Sequence, residues 1–402
     1  MTENNQNKRK KSTFGGVFVV VLLTVIIAVG AIFAAKLFSS SPEKAAEEPV
    51  SVASTEKKSS DEATTQSNTK TYTQSGKGFP LAFSSNDITD ISEIGSGVCV
   101  VSNNMLFCVS SSGKMTLSQV LNYSEPVVKT CGNYGLVFDR MSGRFVVFNK
   151  KSVIYKGQSP DSQQIITAQI SSNGSFAIAS RSSKAASLLT FYDKKGNEKF
   201  QWACTKEHIV SLAISSDNRS IACTALTSES GEIQTEIYLL NIYSDETVWQ
   251  HSLKDCAAVN VYFASGSRKI GVLCSDSRIV LDSKASEPVI SESKFSSKLL
   301  SSHSDRGGYS AVLTSKFGTF NGYELTSFAP DNSVNYTFDT EEKILGVFCA
   351  GKRSWLLTTN SIICVNSGGN ASKTVSLDSS ALGMCVSSGD IYSFSLNNLY
   401  KN

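Results

Sequence analysis

The feature that most constrains the fold is a repeat of short apolar segments along most of the chain. The segments come in groups of four, and polar turns rich in Ser, Asn, Gly and Asp separate them. Successive groups begin about 36 to 48 residues apart, near Ile91, Val127, Ile165, Ile209, Ala257, Leu300, Leu345 and Leu382. Four short strands per period of this length are typical of a β-propeller blade.

The repeat predicts an all-β chain, with eight blades and seven as the alternative. A β-sandwich would not keep the period over so many residues, and a β-helix would repeat more tightly. The last group, 381–402, has room for only three strands. We expect the segment Phe79–Phe83 to supply its outer strand, because pairing the two ends of the propeller removes exposed sheet edges.

An uncharged apolar run, Phe14 to Ala35, lies directly behind the basic residues Lys8, Arg9, Lys10 and Lys11. A helix of this length spans the roughly 30 Å hydrocarbon core of a bilayer. The basic cluster predicts that the N-terminus stays in the cytoplasm. The alternative, a cleaved signal peptide, would have a shorter apolar core and a small-residue cleavage site, and no clean A-x-A site follows this run. We therefore predict a single-pass protein of the cell membrane with an extracytoplasmic C-terminal domain.

The chain divides into four predicted segments. They are a basic cytoplasmic tail over 1–13, a transmembrane helix over 14–38, a polar linker over 39–78 and the propeller over 79–402. The linker has too few apolar side chains to offset its ordering entropy, so we expect it to be a disordered tether.

The charge distribution argues against nucleic-acid binding. The small positive excess of the chain comes from the segment before residue 79, and the predicted propeller is balanced in charge. Nucleic-acid-binding domains normally carry a basic face. The expected partners are the membrane and either a protein or a cell-wall polymer.

Two phrases carry a resemblance to known propellers: Ser215 to Ala222, a turn followed by a strand, and Tyr192 to Trp202, a hairpin. They resemble WD-repeat-like and quinoprotein-like blades. With the anchor, the linker, Phe79-Pro80 and the segment Val137 to Val147, the chain is similar to an uncharacterised family of single-pass, membrane-anchored propellers from Gram-positive bacteria. The resemblance implies the fold and the anchoring, and it brings no known activity. The chain lacks the Trp-Asp dipeptide of true WD repeats, and its three tryptophans are too few for the blades of quinone-dependent dehydrogenases.

The ten cysteines all follow the anchor, and most lie in apolar strand segments, where cysteine behaves as a small core residue. One pair stands out. If Asn103-Asn104 is a two-residue turn, Cys99 and Cys108 lie opposite each other at a non-hydrogen-bonded site, with Cα atoms about 4.5 Å apart. This distance is at the short end of disulfide geometry, so the register predicts a possible cross-strand disulfide.

No catalytic, cofactor or metal motif is present in the sequence. The three histidines are far apart, and CxxC, HxxxH, calcium-loop, nucleophile-elbow and phosphate-loop patterns are absent. The nearest candidates for a propeller-glycosidase site are Asp139 with Arg140 and Asp276 with Arg278, which we interpret as ion pairs in turns. His303, Asp305 and Arg306 form a polar cluster that we expect in a surface turn. We therefore predict no catalytic residues, no cofactor and no bound metal.

These observations favour a binding or scaffolding module for envelope proteins or wall polymers, and not an enzyme. The first alternative is a carbohydrate-active enzyme that uses the central channel, which would need clustered carboxylates with shifted pKa values there. The second is a ligand sensor that works through a membrane partner, because the cytoplasmic tail is too short to form an output domain.

Overall fold

The computed structural model describes residues 78–83, 87–229, 231–244, 247–316, 322–377 and 379–402. The predicted cytoplasmic tail, the transmembrane helix and all but the last residue of the linker lie outside these residues. Within the described ranges, none of the helical segments has the length and apolar character needed to cross a bilayer. The anchor therefore stays a prediction from the sequence.

The described residues form eight four-stranded antiparallel sheets, which confirms the all-β class and the eight-blade prediction. The first four blades have the following strands: β2 (Ile88–Ile94), β3 (Gly97–Ser102), β4 (Met105–Val109) and β5 (Met115–Val120) in blade 1; β6 (Pro126–Cys131), β7 (Tyr134–Asp139), β8 (Arg144–Asn149) and β9 (Val153–Gln158) in blade 2; β10 (Ile165–Ile170), β11 (Phe176–Ser180), β12 (Ser187–Tyr192) and β13 (Glu198–Cys204) in blade 3; β14 (His208–Ile214), β15 (Ser220–Glu229), β16 (Glu232–Asn241) and β17 (Thr247–Lys254) in blade 4. A single 3-10 turn, Pro160–Ser162, connects blades 2 and 3.

The other four blades follow the same order along the chain. Their strands are β18 (Ala258–Ser265), β19 (Lys269–Cys274), β20 (Ser277–Asp282) and β21 (Val289–Lys294) in blade 5; β22 (Leu299–Ser304), β23 (Ser310–Ser315), β24 (Tyr323–Phe328) and β25 (Val334–Thr340) in blade 6; β26 (Ile344–Ala350), β27 (Arg353–Thr358), β28 (Ser361–Val365) and β29 (Ala371–Ser376) in blade 7; β30 (Gly383–Ser387), β31 (Asp390–Phe394), β32 (Asn398–Lys401) and β1 (Leu81–Ala82) in blade 8.

The first strands of most neighbouring blades contact one another, so these strands surround a central channel. Every group start predicted from the repeat lies in one of these strands or directly before it. We call one end of the channel, at which the first strands begin, the upper mouth. The end where they turn into the second strands is the lower mouth.

The ring closes where the two ends of the propeller pair. Leu81 of β1 pairs with Leu399 of β32, and Ala82 pairs with Asn398. The backbone N–H of Phe83 then donates to the Asn397 carbonyl at 2.8 Å. The predicted closure is confirmed, and blade 8 is built from both ends of the propeller.

The apolar core consists of separate clusters between adjacent blades. Most interfaces bury eight or more apolar side chains, whereas the interface between blades 5 and 6 buries a cluster of only three, Leu273, Val312 and Phe328. Arg278 completes this smallest interface. It is fully buried between the rings of Tyr262 and Phe328 and donates to the side-chain oxygen of Asn332 and to the carbonyl of Gly308.

A β-bulge recurs near the start of the first strand in six blades, at the second residue in five of them and at the third in blade 4. The extra residues are Thr89, Ile166, Val210, Val259, Leu300 and Leu345. A bulge leaves one residue out of the ladder and strengthens the local twist. Val259, Leu300 and Leu345 are about half exposed as a result, and Leu382, just before the first strand of blade 8, is similarly exposed. The upper mouth therefore carries aliphatic side chains at corresponding positions of several blades.

A substitution at Phe83 tests the closure of the ring between blades 8 and 1. The Phe83 side chain is buried, with its ring centroid 4.9 Å from that of Phe107 in blade 1. Phe83→Ala removes this contact from the interface between blades 8 and 1, and we expect the free energy of unfolding to fall by about 3–5 kcal/mol. The control is Leu396→Ala, an exposed side chain in the same blade, which should change it by less than about 0.5 kcal/mol in urea unfolding. Equal effects of the two substitutions would contradict the closure.

Candidate functional site

An arginine reaches across the channel at its lower mouth. Arg306 lies in the turn after the first strand of blade 6, and its guanidinium donates a hydrogen bond to the backbone carbonyl of Thr130 in blade 2. Blades 2 and 6 are four apart in a ring of eight, so they stand opposite each other. The side chain of Arg306 therefore spans the lower mouth.

The channel above Arg306 holds three more titratable groups, contributed by blades 1, 2 and 6. Asp90 and Lys129 come from the first strands of adjacent blades, and His303 comes from the first strand of the opposite blade. His303 is fixed on two sides. Its ring stacks on Phe348 with centroids 4.2 Å apart, and its Nδ1 accepts from the backbone N–H of Cys349 at 3.1 Å.

The surrounding protein shifts the pKa values of these groups toward their neutral forms. Burial raises the pKa of Asp90 to about 6, against a hydrogen bond from the Ile91 N–H and the charge of Lys129. Burial lowers the pKa of Lys129, which Asp90 opposes. Burial, with the charge of Lys129, lowers the pKa of His303 to about 4, so the ring is neutral at physiological pH.

Two carboxylates lie near Arg306. Glu93 of blade 1 has its pKa raised by burial, an effect that the charge of Arg306 opposes and that of Asp305 reinforces. Asp305 accepts hydrogen bonds from two backbone N–H groups, those of Gly351 at 2.6 Å and Tyr309 at 3.0 Å. Asp305 thus ties the turn of blade 6 to that of blade 7.

A cavity of about 400 Å³ opens at the lower mouth, bounded by residues of blades 2 to 6. This volume lies within the range of small-ligand pockets. Hydroxyl and amide groups form much of its wall, among them Gln169, Ser171, Ser216, Asn218 and Asn260. Of the described residues that line it, Asp305 and Arg306 are the only charged ones.

The predicted surface turn at His303, Asp305 and Arg306 requires a correction. Asp305 and Arg306 do lie in a turn, but this turn borders the central channel, and His303 lies within β22. The sequence showed the cluster without its location, because the turn faces blade 2 only once the ring is closed. The corresponding turns of blades 4, 5 and 7 also hold charged residues, Asp217, Arg219, Arg268 and Lys352, so the charges of Asp305 and Arg306 gave no signal of their location.

The four residues of the two candidate pairs for a glycosidase site, all within the described ranges, do not line this cavity. Asp139 forms an ion pair with Arg144 at 3.3 Å, not with Arg140, and it also accepts from the N–H groups of Glu125 and Met141. Arg278 is the buried cation between blades 5 and 6. Neither predicted ion pair is present among the described residues: Asp139 pairs with Arg144, and Arg278 lies within β20 and donates to Asn332 and Gly308, not to Asp276. Asp139 stabilises a turn and Arg278 an interface between blades.

The register predicted around Asn103-Asn104 is confirmed, and it places Cys99 opposite Cys108. Both are free thiols in the structure, and their sulfur atoms contact different carbonyls, those of Ser92 and Asn149. The structure contains a disulfide elsewhere, between Cys256 and Cys274. The repeat does not predict this disulfide, because Cys256 lies in the loop before β18 and Cys274 lies in an apolar strand segment, where a core role is expected.

Three or more potential metal ligands come together nowhere among the described residues. The prediction that no metal is bound stays a prediction.

A family model matches residues 66–398, which includes nearly the whole propeller. The chain belongs to the family of unknown function DUF5711. This agrees with the resemblance to an uncharacterised family of propellers, while the membrane anchoring and the Gram-positive origin stay predictions. A comparison of this DUF5711 protein with curated proteins found no similar sequence.

Solved structures share the fold of this DUF5711 protein. Apo AztD from Citrobacter koseri has a TM-score of 0.52 at 11% identity, over 73% of this chain and 87% of that one. A second AztD structure from C. koseri has a TM-score of 0.50 at 10% identity, over 73% and 87% of the two chains. BamB from Moraxella catarrhalis has a TM-score of 0.49 at 12% identity, over 81% of this chain and all of that one. At these identities the AztD likeness shows the propeller fold alone.

Thiol mapping distinguishes the two possible states of Cys99 and Cys108. Burial raises the pKa of Cys108 to about 12 and also raises that of Cys99, so we expect neither thiol to react in the folded protein. After unfolding without reductant, iodoacetamide should modify both, whereas Cys256 and Cys274 should stay linked. A linked Cys99–Cys108 peptide under these conditions would instead support the sequence-based disulfide.

Asp90 makes stability depend on pH in a direction that can be worked out. Its pKa is about 6 in the fold against 3.8 as a free side chain, so between pH 4 and 6 the folded state holds more protons. The contribution of Asp90 to the free energy of unfolding therefore falls as pH rises through this window, by at most about 3 kcal/mol. Asp90→Asn should exceed the native chain in stability at pH 7 and match it near pH 4.

The difference in the free energy of unfolding between Asp90→Asn and the native chain isolates the contribution of Asp90. The lowered pKa of His303 acts in the opposite direction over the same pH range, but it acts in both chains. Urea unfolding at several pH values provides the measurement, and Asp87→Asn, an exposed aspartate, is the control. A pH-independent difference between Asp90→Asn and the native chain would contradict the assignment.

Proposed function

We propose that this DUF5711 protein is a membrane-anchored, extracytoplasmic binding module that takes part of a wall polymer or an envelope protein into the cavity at its lower mouth. The observation that carries the proposal is the composition of the cavity. Its wall combines many neutral hydrogen-bonding groups with some apolar surface, including Ile214 and Phe263. Such a concave wall offers hydrogen bonds that orient a polar ligand and apolar surface against which the ligand can pack.

The cysteines support an extracytoplasmic location. The Cys256–Cys274 disulfide joins the loop before blade 5 to the second strand of that blade. Disulfides persist in oxidising compartments and are rare in the cytoplasm. The disulfide agrees with the orientation that Lys8, Arg9, Lys10 and Lys11 predict.

The predicted linker would join the propeller on the side of the lower mouth. Gly78 lies beside Gly113, in the turn between β4 and β5, which is on that side of blade 1. The chain therefore enters the propeller on the side where the cavity opens.

A carbohydrate-active enzyme is the second candidate. The observation in its favour is that Asp90 and Glu93, on one strand, both have raised pKa values, as a general acid requires. Glycosidases need two carboxylates on either side of the scissile bond. The cavity wall contributes one, Asp305, whose oxygens already accept two backbone hydrogen bonds. Binding without cleavage therefore ranks first.

A bulky side chain in the cavity tests the proposal. Ser216 is exposed in the cavity wall, and we expect Ser216→Trp to weaken the binding of solubilised wall fragments by the purified protein at least tenfold. Ser183→Trp is the matched control, because Ser183 is exposed in a turn on the opposite side of the neighbouring blade. Pull-down with quantitative immunoblotting measures the binding. Equal binding by the two variants and the native chain would refute the location of the site.

A further inference from the structure

We propose that the ligand is a hydroxyl-rich sugar or polyol chain that carries a carboxylate or phosphate group, and that Arg306 binds this anionic group. The inference rests on the proposed binding role of the cavity. It adds the chemical class of the ligand and the residue that selects it.

The two charged groups of the cavity wall differ in their free hydrogen-bonding capacity. Asp305 accepts through both carboxylate oxygens, one from the Gly351 N–H and one from the Tyr309 N–H. Within the described part of the chain, Arg306 makes one hydrogen bond, to the neutral carbonyl of Thr130, although a guanidinium has five N–H donors. The free hydrogen-bonding capacity at the cavity therefore belongs to the cation, Arg306.

No carboxylate within the described ranges forms an ion pair with Arg306. Glu93 is near enough to interact electrostatically with Arg306 but forms no ion pair with it. Arg306 is also exposed, so a ligand can reach it. A planar guanidinium matches carboxylate and phosphate through two parallel hydrogen bonds, which are stronger than a bond to a neutral carbonyl. An anionic group would thus replace Thr130 as the partner of Arg306.

The rest of the wall fits the uncharged part of such a ligand. Ser171, Ser216 and Asn260 can each accept and donate, as sugar and polyol hydroxyl groups do. A ligand composed mainly of apolar groups would leave these positions unpaired, which is unfavourable.

The experiment compares three oligomers on the full-length protein in nanodiscs by isothermal titration calorimetry. Tetragalacturonate supplies carboxylates, a glycerol-phosphate tetramer supplies phosphates, and neutral chitotetraose supplies hydroxyl and acetamido groups alone. We expect at least one acidic oligomer to bind more tightly than chitotetraose, and the preference between the two identifies the source of the anion. Arg306→Gln should weaken acidic binding about 10- to 100-fold and change neutral binding less than about threefold.

Two further variants separate this inference from the proposed function. Arg306→Lys keeps the charge without the planar fork and should recover part of the acidic binding. Arg219→Gln is the matched control, because Arg219 is exposed in the corresponding turn of blade 4 but does not line the cavity.

The outcomes are distinct. If Arg306→Gln leaves the binding of the acidic oligomers unchanged, or weakens the binding of chitotetraose to the same extent, Arg306 does not select the anion. Ser216→Trp would then still test the cavity independently. An acidic peptide that binds where none of the oligomers does would overturn the sugar or polyol assignment. Binding that Ser216→Trp leaves intact would instead reject the proposed function itself.

Discussion

The structure depends on the pairing of β1 with β32. Two residue pairs, Leu81 with Leu399 and Ala82 with Asn398, give blade 8 its fourth strand. An unpaired third strand would leave an exposed edge and remove Leu81 and Phe83 from the cluster between blades 8 and 1. Because the apolar core lies between adjacent blades, the circular arrangement of the first strands holds only while the ring is closed.

Closure is also what assembles the site. Arg306 and Thr130 are 176 residues apart in sequence and meet because blades 6 and 2 face each other across a ring of eight. Ser92 and Thr130 contribute an additional hydrogen bond between blades 1 and 2 at 2.8 Å, and the pair of His303 and Cys349 joins blades 6 and 7. The polar groups of the channel therefore have two effects, since they bind adjacent first strands together and they determine the charge that a ligand meets. The two mouths differ in chemistry: aliphatic bulge residues surround the upper one, and hydroxyl, amide and charged groups surround the lower one.

The fold could be predicted from the sequence because its determinants are local. Each blade repeats the same order of strand and turn, so the number of groups gave the number of blades, and the short last group indicated the closure. The register of Cys99 and Cys108 followed from one two-residue turn. The site could not be predicted in the same way. The contact of Arg306 with Thr130 depends on how the closed ring brings blades 6 and 2 together and on side-chain reach, and the repeat does not encode side-chain reach. The buried Arg278 and the Cys256–Cys274 disulfide were missed for the same reason, since each joins elements that the repeat treats as equivalent.

The central claim is that ligands bind at the lower mouth. Hydrogen–deuterium exchange of the full-length protein, with and without solubilised wall fragments, tests it most directly because it reports on every turn at once. The account predicts slower exchange in the turns that bound the cavity, 171–175, 215–219 and 305–309, and unchanged exchange in the turns of the upper mouth. Slower exchange confined to the upper mouth, or no change in any turn, would contradict it.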